Sequence, residues 1–178
     1  AEEAGRLLSL PEGATVVDVG GAHGTLLAGV LKANPASRGI LTDLPHVMAD
    51  APRALAALGV AGRVEAVAGD FFESVPVGDV YLLKQVLHDW NDDQCVAVLR
   101  NCARAMRPGG KIVVVEMVVP EDGSPSLAQI MDLNMLVMLP GRERTATEFD
   151  ALFRAAGLAA ARVTPTASPF SLVEAVRA

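Results

Sequence analysis

Hydrophobic positions along the chain follow two alternating rhythms. Short apolar or β-branched runs, bounded by Gly, Pro or Asp, read as buried strands. Between them apolar residues recur at helical spacing. Val16-Val17-Asp18-Val19 runs into Gly20-Gly21 and predicts a strand over about 15–19. A helix follows from Gly24 to near Asn34, with Leu26, Leu27, Val30 and Leu31 on one face, and Pro35 stops it. A second strand spans 38–43 and ends in Asp43. Pro45 then opens a helix from Val47 to Leu58, bent at Pro52. Residues 62–68 and 78–83 read as strands three and four. Asn91 caps a helix running through Met106 with Val96, Leu99 and Cys102 inward. Residues 107–110 read as a turn, 111–116 as a fifth strand, and 117–125 as a Pro/Gly loop. A Met-rich helix from Ser126 to Met138 is broken by Pro140-Gly141. Thr145, with Glu148 at the capping-box position, opens a helix that ends at Gly157. The tail, 159–164 and 170–176, reads as two strands able to pair antiparallel.

Strands alternating with helices predict an α/β fold: a parallel sheet with helices on both faces. Ligands of such sheets sit outside the C-terminal strand ends. The distinctive residues fall there: Gly20, Asp43, Asp70, Lys84, His88 and Glu116.

Composition narrows the class. The 178 residues suffice for one domain with a real core, and residues 1–178 are read as one. Net charge is −6 without a basic stripe, which argues against nucleic acid and anionic membrane surfaces as partners. No apolar run approaches a membrane span, and no signal-peptide pattern appears, so a cytoplasmic location is expected. Cys95 and Cys102 lie seven residues apart on a predicted helix. Their Cα atoms would be roughly 10 Å apart, too far for a disulfide, and no Cys/His cluster has zinc spacing. No metal is expected. The abundance of Ala, Arg, Gly and Val suggests a high-GC bacterial gene.

Several residues have two readings. Asp18 is an acid inside a buried run and is expected to brace the following loop, because a buried carboxylate needs hydrogen bonds. Asp43 stands where an acid accepts the hydroxyls of a ribose, or caps the next helix. Asp70 with Phe71 fits an adenine site, or a polar turn beside core phenylalanines. His88 follows a buried strand and lies beside Asp89 and the sole tryptophan, Trp90. An imidazole suits proton transfer at neutral pH, yet a structural histidine fits too. Glu116, ending the adjacent strand, is placed to hold the other ring nitrogen. Glu143 either flanks the same ring from its loop or is a surface charge. Met131, Met135 and Met138 form a stripe that serves a core or a pocket for flat aromatic ligands. Asp132 and Asn134 reach a substrate hydroxyl or cap neighbours.

The glycine loop fails the dinucleotide pattern G-x-G-x-x-G in every register. It fits Asp18-x-Gly20-x-Ala22-x-Gly24, which resembles the loop of S-adenosylmethionine (SAM) methyltransferases. The longer series is Asp18-Val-Gly-Gly, Asp43-Leu-Pro-His-Val, Gly69-Asp-Phe-Phe, Leu83-Lys-Gln-Val-Leu-His-Asp-Trp-Asn-Asp-Asp, Arg107-Pro-Gly-Gly-Lys, Glu116, Asp132-Leu-Asn-Met and Glu143-Arg-Thr. It resembles the SAM-dependent O-methyltransferases of plant phenolics and bacterial natural products, nearly end to end. The Leu-His-Asp-Trp segment is far more specific than the loop.

The resemblance implies a Rossmann-like SAM methyltransferase fold: a mostly parallel seven-stranded sheet with an antiparallel C-terminal strand. It implies that Gly20, Asp43, Leu44, Asp70, Phe71 and Lys84 hold SAM. His88 would deprotonate the hydroxyl of a small aromatic or polyketide-type acceptor, flanked by Glu116 and Glu143. Asp89, Met131, Asn134 and Met135 would line the acceptor pocket. Ala22 replaces a loop glycine, and Phe71 stands where plant members often have Met. The family also carries an N-terminal dimerisation domain that closes the pocket. The opening residues, a helix end with nothing before it to pack on, suggest that this domain is absent here, and that the full-length protein is a homodimer through it. Two alternatives stay open: a SAM-binding relative that hydroxylates or decarboxylates a polyketide, and a SAM-binding fragment without turnover. An NAD oxidoreductase is disfavoured by the loop.

Overall fold

Five parallel strands frame the domain: β1 (Thr15–Val19), β2 (Arg38–Asp43), β3 (Val64–Ala68), β4 (Gly78–Lys84) and β5 (Met106–Glu116). A computed structural model describes residues 2–138 and 141–178, apart from the side chains of Glu2, Leu136 and Met138. Beyond β5 come two short strands, β6 (Val118–Val119) and β7 (Arg144–Thr145), which pair with each other. The chain closes with β8 (Leu158–Pro165) and β9 (Ser171–Arg177). The main sheet has seven strands in the order β3-β2-β1-β4-β5-β9-β8, and β9 runs antiparallel to both neighbours. The expected sheet, including its antiparallel C-terminal strand, is present.

The helices are α1 (Glu2–Leu7), α2 (Thr25–Ala33), α3 (Pro45–Met48), α4 (Ala51–Ala57), α5 (Asp92–Ala105), α6 (Leu127–Met138) and α7 (Ala146–Ala155). Successive strand residues point to opposite faces, so the sheet divides two cores. Val17, Tyr81, Leu83, Ile112 and Val114 pack with Leu99 and Cys102 of α5 and Phe149 and Phe153 of α7. Val16, Val80, Leu82 and Val113 pack on the other side with Leu27 and Leu31 of α2 and Leu55 of α4. Both cysteines are free and buried. Among the described residues no helix is long and apolar enough to cross a membrane.

Three boundaries differ from the sequence reading. The helix expected over 47–58 is two helices, α3 and α4. Pro52 does not bend a helix but sits in the first turn of α4, where its missing N–H costs no hydrogen bond. The turn expected at 107–110 belongs to β5, because Met106 pairs with Gly78 before a register shift, and Gly109 supplies a φ of +79°. The loop at 117–125 contains β6. The break at Pro140 lies outside the described residues.

The chain runs from β1 outward to β3, then returns to β4 and β5 on the other side of β1. That reversal opens a crevice at the C-terminal ends of β1 and β4. The core that holds these strand ends is tightly packed, and Leu99 is fully buried in it. Leu99→Ala should cost about 2–5 kcal/mol, read as a lower urea midpoint with an unchanged slope.

Candidate active site

The loop after β1 is shaped by residues that tolerate left-handed backbone. Gly20, Ala22 and Gly24 have φ of +65°, +48° and +74°. Ala22 carries a Cβ into a region that disfavours one. Its amide is held by Asp43 Oδ2 at 2.9 Å, while Leu44 N–H donates to Asp43 Oδ1 at 2.7 Å. Each Asp43 oxygen keeps a further lone pair for hydroxyl donors. Leu44 contributes this backbone contact, and its side chain is exposed.

Asp18 lies beneath the loop, 1% exposed, and accepts from Leu27 N in the first turn of α2 at 3.3 Å. A Cβ on Gly21 would sit 2.5 Å from the Asp18 carboxyl carbon, so the loop closes over the acid only because Gly21 has no side chain. The expected bracing role is thus met. Burial pushes the Asp18 carboxyl up to about 7, opposed by the Leu27 N–H, with Asp43 raising it further and Lys84 lowering it. Asp18, Gly20, Gly21, His23 and Lys84 line a cavity of about 190 Å³. Lys84 Nζ donates to Gln85 at 2.8 Å and lies 5.1 Å from the Phe170 ring centroid.

Asp70 Oδ1 accepts from Phe72 N at 2.8 Å. Phe71, Phe72 and Trp90 form an aromatic group, with Phe72 and Trp90 edge to face at 4.8 Å. The Phe71 ring lies 3.6 Å from the position of a Cβ on Gly20, so it borders the glycine loop.

A single 3-10 turn, Leu87–Asp89, carries His88 past the end of β4. His88 Nδ1 lies 3.0 Å from Glu143 Oε1 and 3.7 Å from Glu116 Oε2, and Nε2 lies 3.3 Å from Asp89 Oδ1. Both glutamates therefore face one ring nitrogen. Glu116 faces the ring nitrogen expected of it, the one that is not the proton acceptor, but at 3.7 Å, and its other oxygen, Oε1, accepts the amides of Val86 and Leu87, at 3.0 and 3.1 Å, which anchors the turn. Burial of the His88 ring lowers its pKa, but the bond to Glu143 and the charges of Glu116, Glu143 and Asp89 outweigh it, leaving it above the ordinary value. Burial pushes Glu116 up to about 7, against the opposing pull of His88. A carboxylate partner at Nδ1 needs a proton there, which leaves Nε2 as the acceptor of the neutral ring. The ligand atoms of His88, Glu116 and Glu143 also lie within 4.8 Å of one another, close enough for a metal ion. A metal on Nδ1 would displace the hydrogen bond to Glu143.

The residues predicted for the acceptor side are less gathered. Met135 is buried, Met131 half-buried and Asn134 exposed, with Asn134 Nδ2 3.8 Å from Met131 Sδ. The side chain of Met138 lies outside the described residues. Asp132 accepts from Glu143 N at 2.9 Å, so it steadies the loop beside His88. A shallow cleft of about 930 Å³ elsewhere, along α5, α7 and Arg177, holds none of the predicted site residues, so size does not mark the site.

Sequence reasoning missed three positions. Asn101 is a buried amide on α5 that donates to Phe71 O and Phe72 O, each at 2.8 Å, fixing the Phe71 turn. Its signal was a polar residue on the buried face of an amphipathic helix. Gly141 runs against the His88 turn, where a Cβ would sit 1.8 Å from His88 O. Arg144, the first residue of β7, is 1% exposed. Nothing in its spacing announced burial.

Residues 4–159 match the family model described as an O-methyltransferase domain. The chain is 51% identical over 162 residues to the phenazine O-methyltransferase PhzM of Lysobacter antibioticus, covering 90% of this chain and 48% of that protein. The structure of the mitomycin 7-O-methyltransferase MmcR superposes with a TM-score of 0.93 at 40% identity, over 99% of this chain and 52% of that one. NcsB1, an O-methyltransferase of neocarzinostatin biosynthesis solved with SAM and 2-hydroxy-5-methyl naphthoic acid, gives 0.82 at 39% identity, over 92% and 49%. The chain spans about half the length of the curated relatives it matches.

The Asp18 carboxyl holds its proton to about 7 when folded, against 3.8 ordinarily. Its stabilising contribution is therefore full below the unfolded value and lost as pH rises through the folded one. Asp18→Asn cannot ionise and should gain in Tm relative to wild type as pH rises from about 4 to about 7, with no further gain above that. A difference that does not change with pH would mean that Asp18 ionises normally.

Proposed function

Because the chain belongs to the O-methyltransferase family, we propose that it binds SAM across the β1 and β4 strand ends. In this reading it methylates a hydroxyl of a small aromatic or polyketide-type natural product, with His88 as general base. The observation that carries this is the buried His88 ring, hydrogen-bonded through Nδ1 to Glu143 at 3.0 Å, at the C-terminal strand ends that also bear the Gly20–Gly24 loop.

The residues fit the cofactor. Asp43 offers unused lone pairs to a ribose diol. The Phe71 ring borders the loop as a cover for adenine, and Asp70 is placed for its exocyclic amine. Asp18 and Lys84 bound the cavity next to the loop. Bound SAM supplies an electrophilic methyl group on a sulfonium sulfur. His88 Nε2 takes the acceptor's hydroxyl proton, while Glu143 and Glu116 stabilise the imidazolium that forms. Asp89, 3.3 Å from Nε2, is positioned to orient the hydroxyl. Holding base and acceptor together contributes as much as the proton transfer itself.

The acceptor side is completed, on this reading, by chain outside these 178 residues, in a homodimer. In support, α6 presents Ile130, Leu133 and Val137 at 59%, 66% and 84% exposure, an apolar face beside the site. A cytoplasmic location is part of the same proposal.

Calorimetric titration with SAM and S-adenosylhomocysteine should show binding that Asp43→Ala weakens at least ~10-fold, since a charge-assisted bond contributes about 1.5–3 kcal/mol. Equal affinity in the variant would remove Asp43 from the site. Turnover of a phenolic acceptor should rise with pH, because only neutral His88 accepts a proton. The midpoint should lie above the ordinary imidazole value of ~6.5. A midpoint at or below that value would contradict the carboxylate-flanked base.

A further inference from the structure

Arg144 is the largest side chain buried almost completely in the domain, and it is charged. Its guanidinium ties the Leu87–Trp90 turn to the start of α5. NH1 donates to Leu87 O at 2.9 Å and NH2 to Trp90 O at 2.8 Å. Nε and NH2 reach Asp92 Oδ1 at 3.1 and 2.8 Å, and NH1 also reaches Arg142 O at 3.3 Å. Leu87 and Trp90 bracket His88 and Asp89 in sequence. The planar fork thus closes over the turn that carries the base.

Neither adjoining helix needs Arg144 in order to start. α5 has its own capping box, Asn91 with Gln94, and α7 has Thr145 with Glu148. The turn is otherwise anchored mainly on its amide side, where Glu116 accepts from Val86 and Leu87. On its carbonyl side Cys95 Sγ approaches Leu87 O at 3.2 Å and Trp90 O at 3.5 Å, a weak donor beside a charged one. Residues 141–145 also deliver Gly141 against His88 O and Glu143 to the ring. The segment Gly141-Arg-Glu-Arg-Thr145 is therefore a strap across the base. Glu143 holds the imidazole, and Arg144 holds the backbone that bears it.

We propose that Arg144 is a positioning residue for the reaction, fixing the Leu87–Trp90 backbone so that His88 meets Glu143 through Nδ1 and the acceptor through Nε2; this rests on the reading of His88 as the base. Lysine cannot replace it, because a single ammonium does not span two carbonyls and a carboxylate in one plane.

The test compares Arg144→Met and Arg144→Lys with wild type and His88→Gln, by SAM calorimetry, steady-state methylation of a phenol and NMR of histidine-labelled protein. The chain has three histidines, so His88→Gln identifies the His88 signals. The expected result is SAM affinity within about threefold of wild type and turnover down on the order of 100-fold. Acceptor KM should change far less than kcat, and Arg144→Lys should recover only part of the loss. The His88 titration should fall toward the ordinary imidazole value as the Glu143 bond loosens. Wild-type turnover together with an unchanged His88 titration in both variants would overturn the proposal. If Arg144→Met loses SAM binding, Arg144→Lys decides by the same readouts. If His88→Gln keeps its turnover, the base reading fails, and the NMR titration still decides whether Arg144 sets the ring.

Discussion

Two carboxylates lie buried against one imidazole. Glu116 and Glu143 are 1% and 4% exposed, and each has one oxygen without a hydrogen-bond partner among the described residues. Buried carboxylates are costly unless they are paired and bonded. Among the described residues, the cationic group that the geometry offers them is the His88 ring, at 3.0 and 3.7 Å. The surroundings of the site serve to hold that trio together. β5 ends on Glu116, the loop before β7 brings Glu143 across, and Asp132 takes the Glu143 amide. Proton uptake by His88 relieves a standing charge imbalance, and that makes the ring a ready acceptor of a proton.

The two halves of the site rest on different physics. The cofactor half is backbone geometry: left-handed loop residues, a buried acid beneath Gly21, and Asp43 pinning the Ala22 amide. On the proposed reading its residues lie within the described part of the chain. The acceptor half depends on α6, whose outer face is apolar and uncovered. On the proposed reading, affinity for SAM and turnover are separable.

Much of this was legible in the sequence because local rules and tertiary demand agree. The strand ends, the glycine loop, the Asn91 cap and the Thr145–Glu148 capping box are signalled by residues within a few positions of one another. The misread stretches are those where distant partners decide. Met106 joins β5 because Gly78 lies opposite, and β6 exists only through β7, some 25 residues further on. The helix pair α3 and α4 was blurred by an alanine-rich run in which Pro52 permits either a kink or a new start. Asp18, Asp43 and His88 stood out as polar residues at the ends of, or inside, apolar runs. Arg144 did not, since most of its bonds go to the distant carbonyls of Leu87, Trp90 and Arg142 and to Asp92, and neither spacing nor pattern ties it to them.

The central claim is that His88 removes the proton from the acceptor during methyl transfer. The most direct measurement is transfer of labelled methyl from SAM to a panel of phenols, wild type beside His88→Gln, with SAM affinity measured on both. The account predicts labelled methyl ether from wild type, a loss of ~100-fold or more in the variant, and SAM binding that is equal in the two. Undiminished transfer by His88→Gln would contradict it.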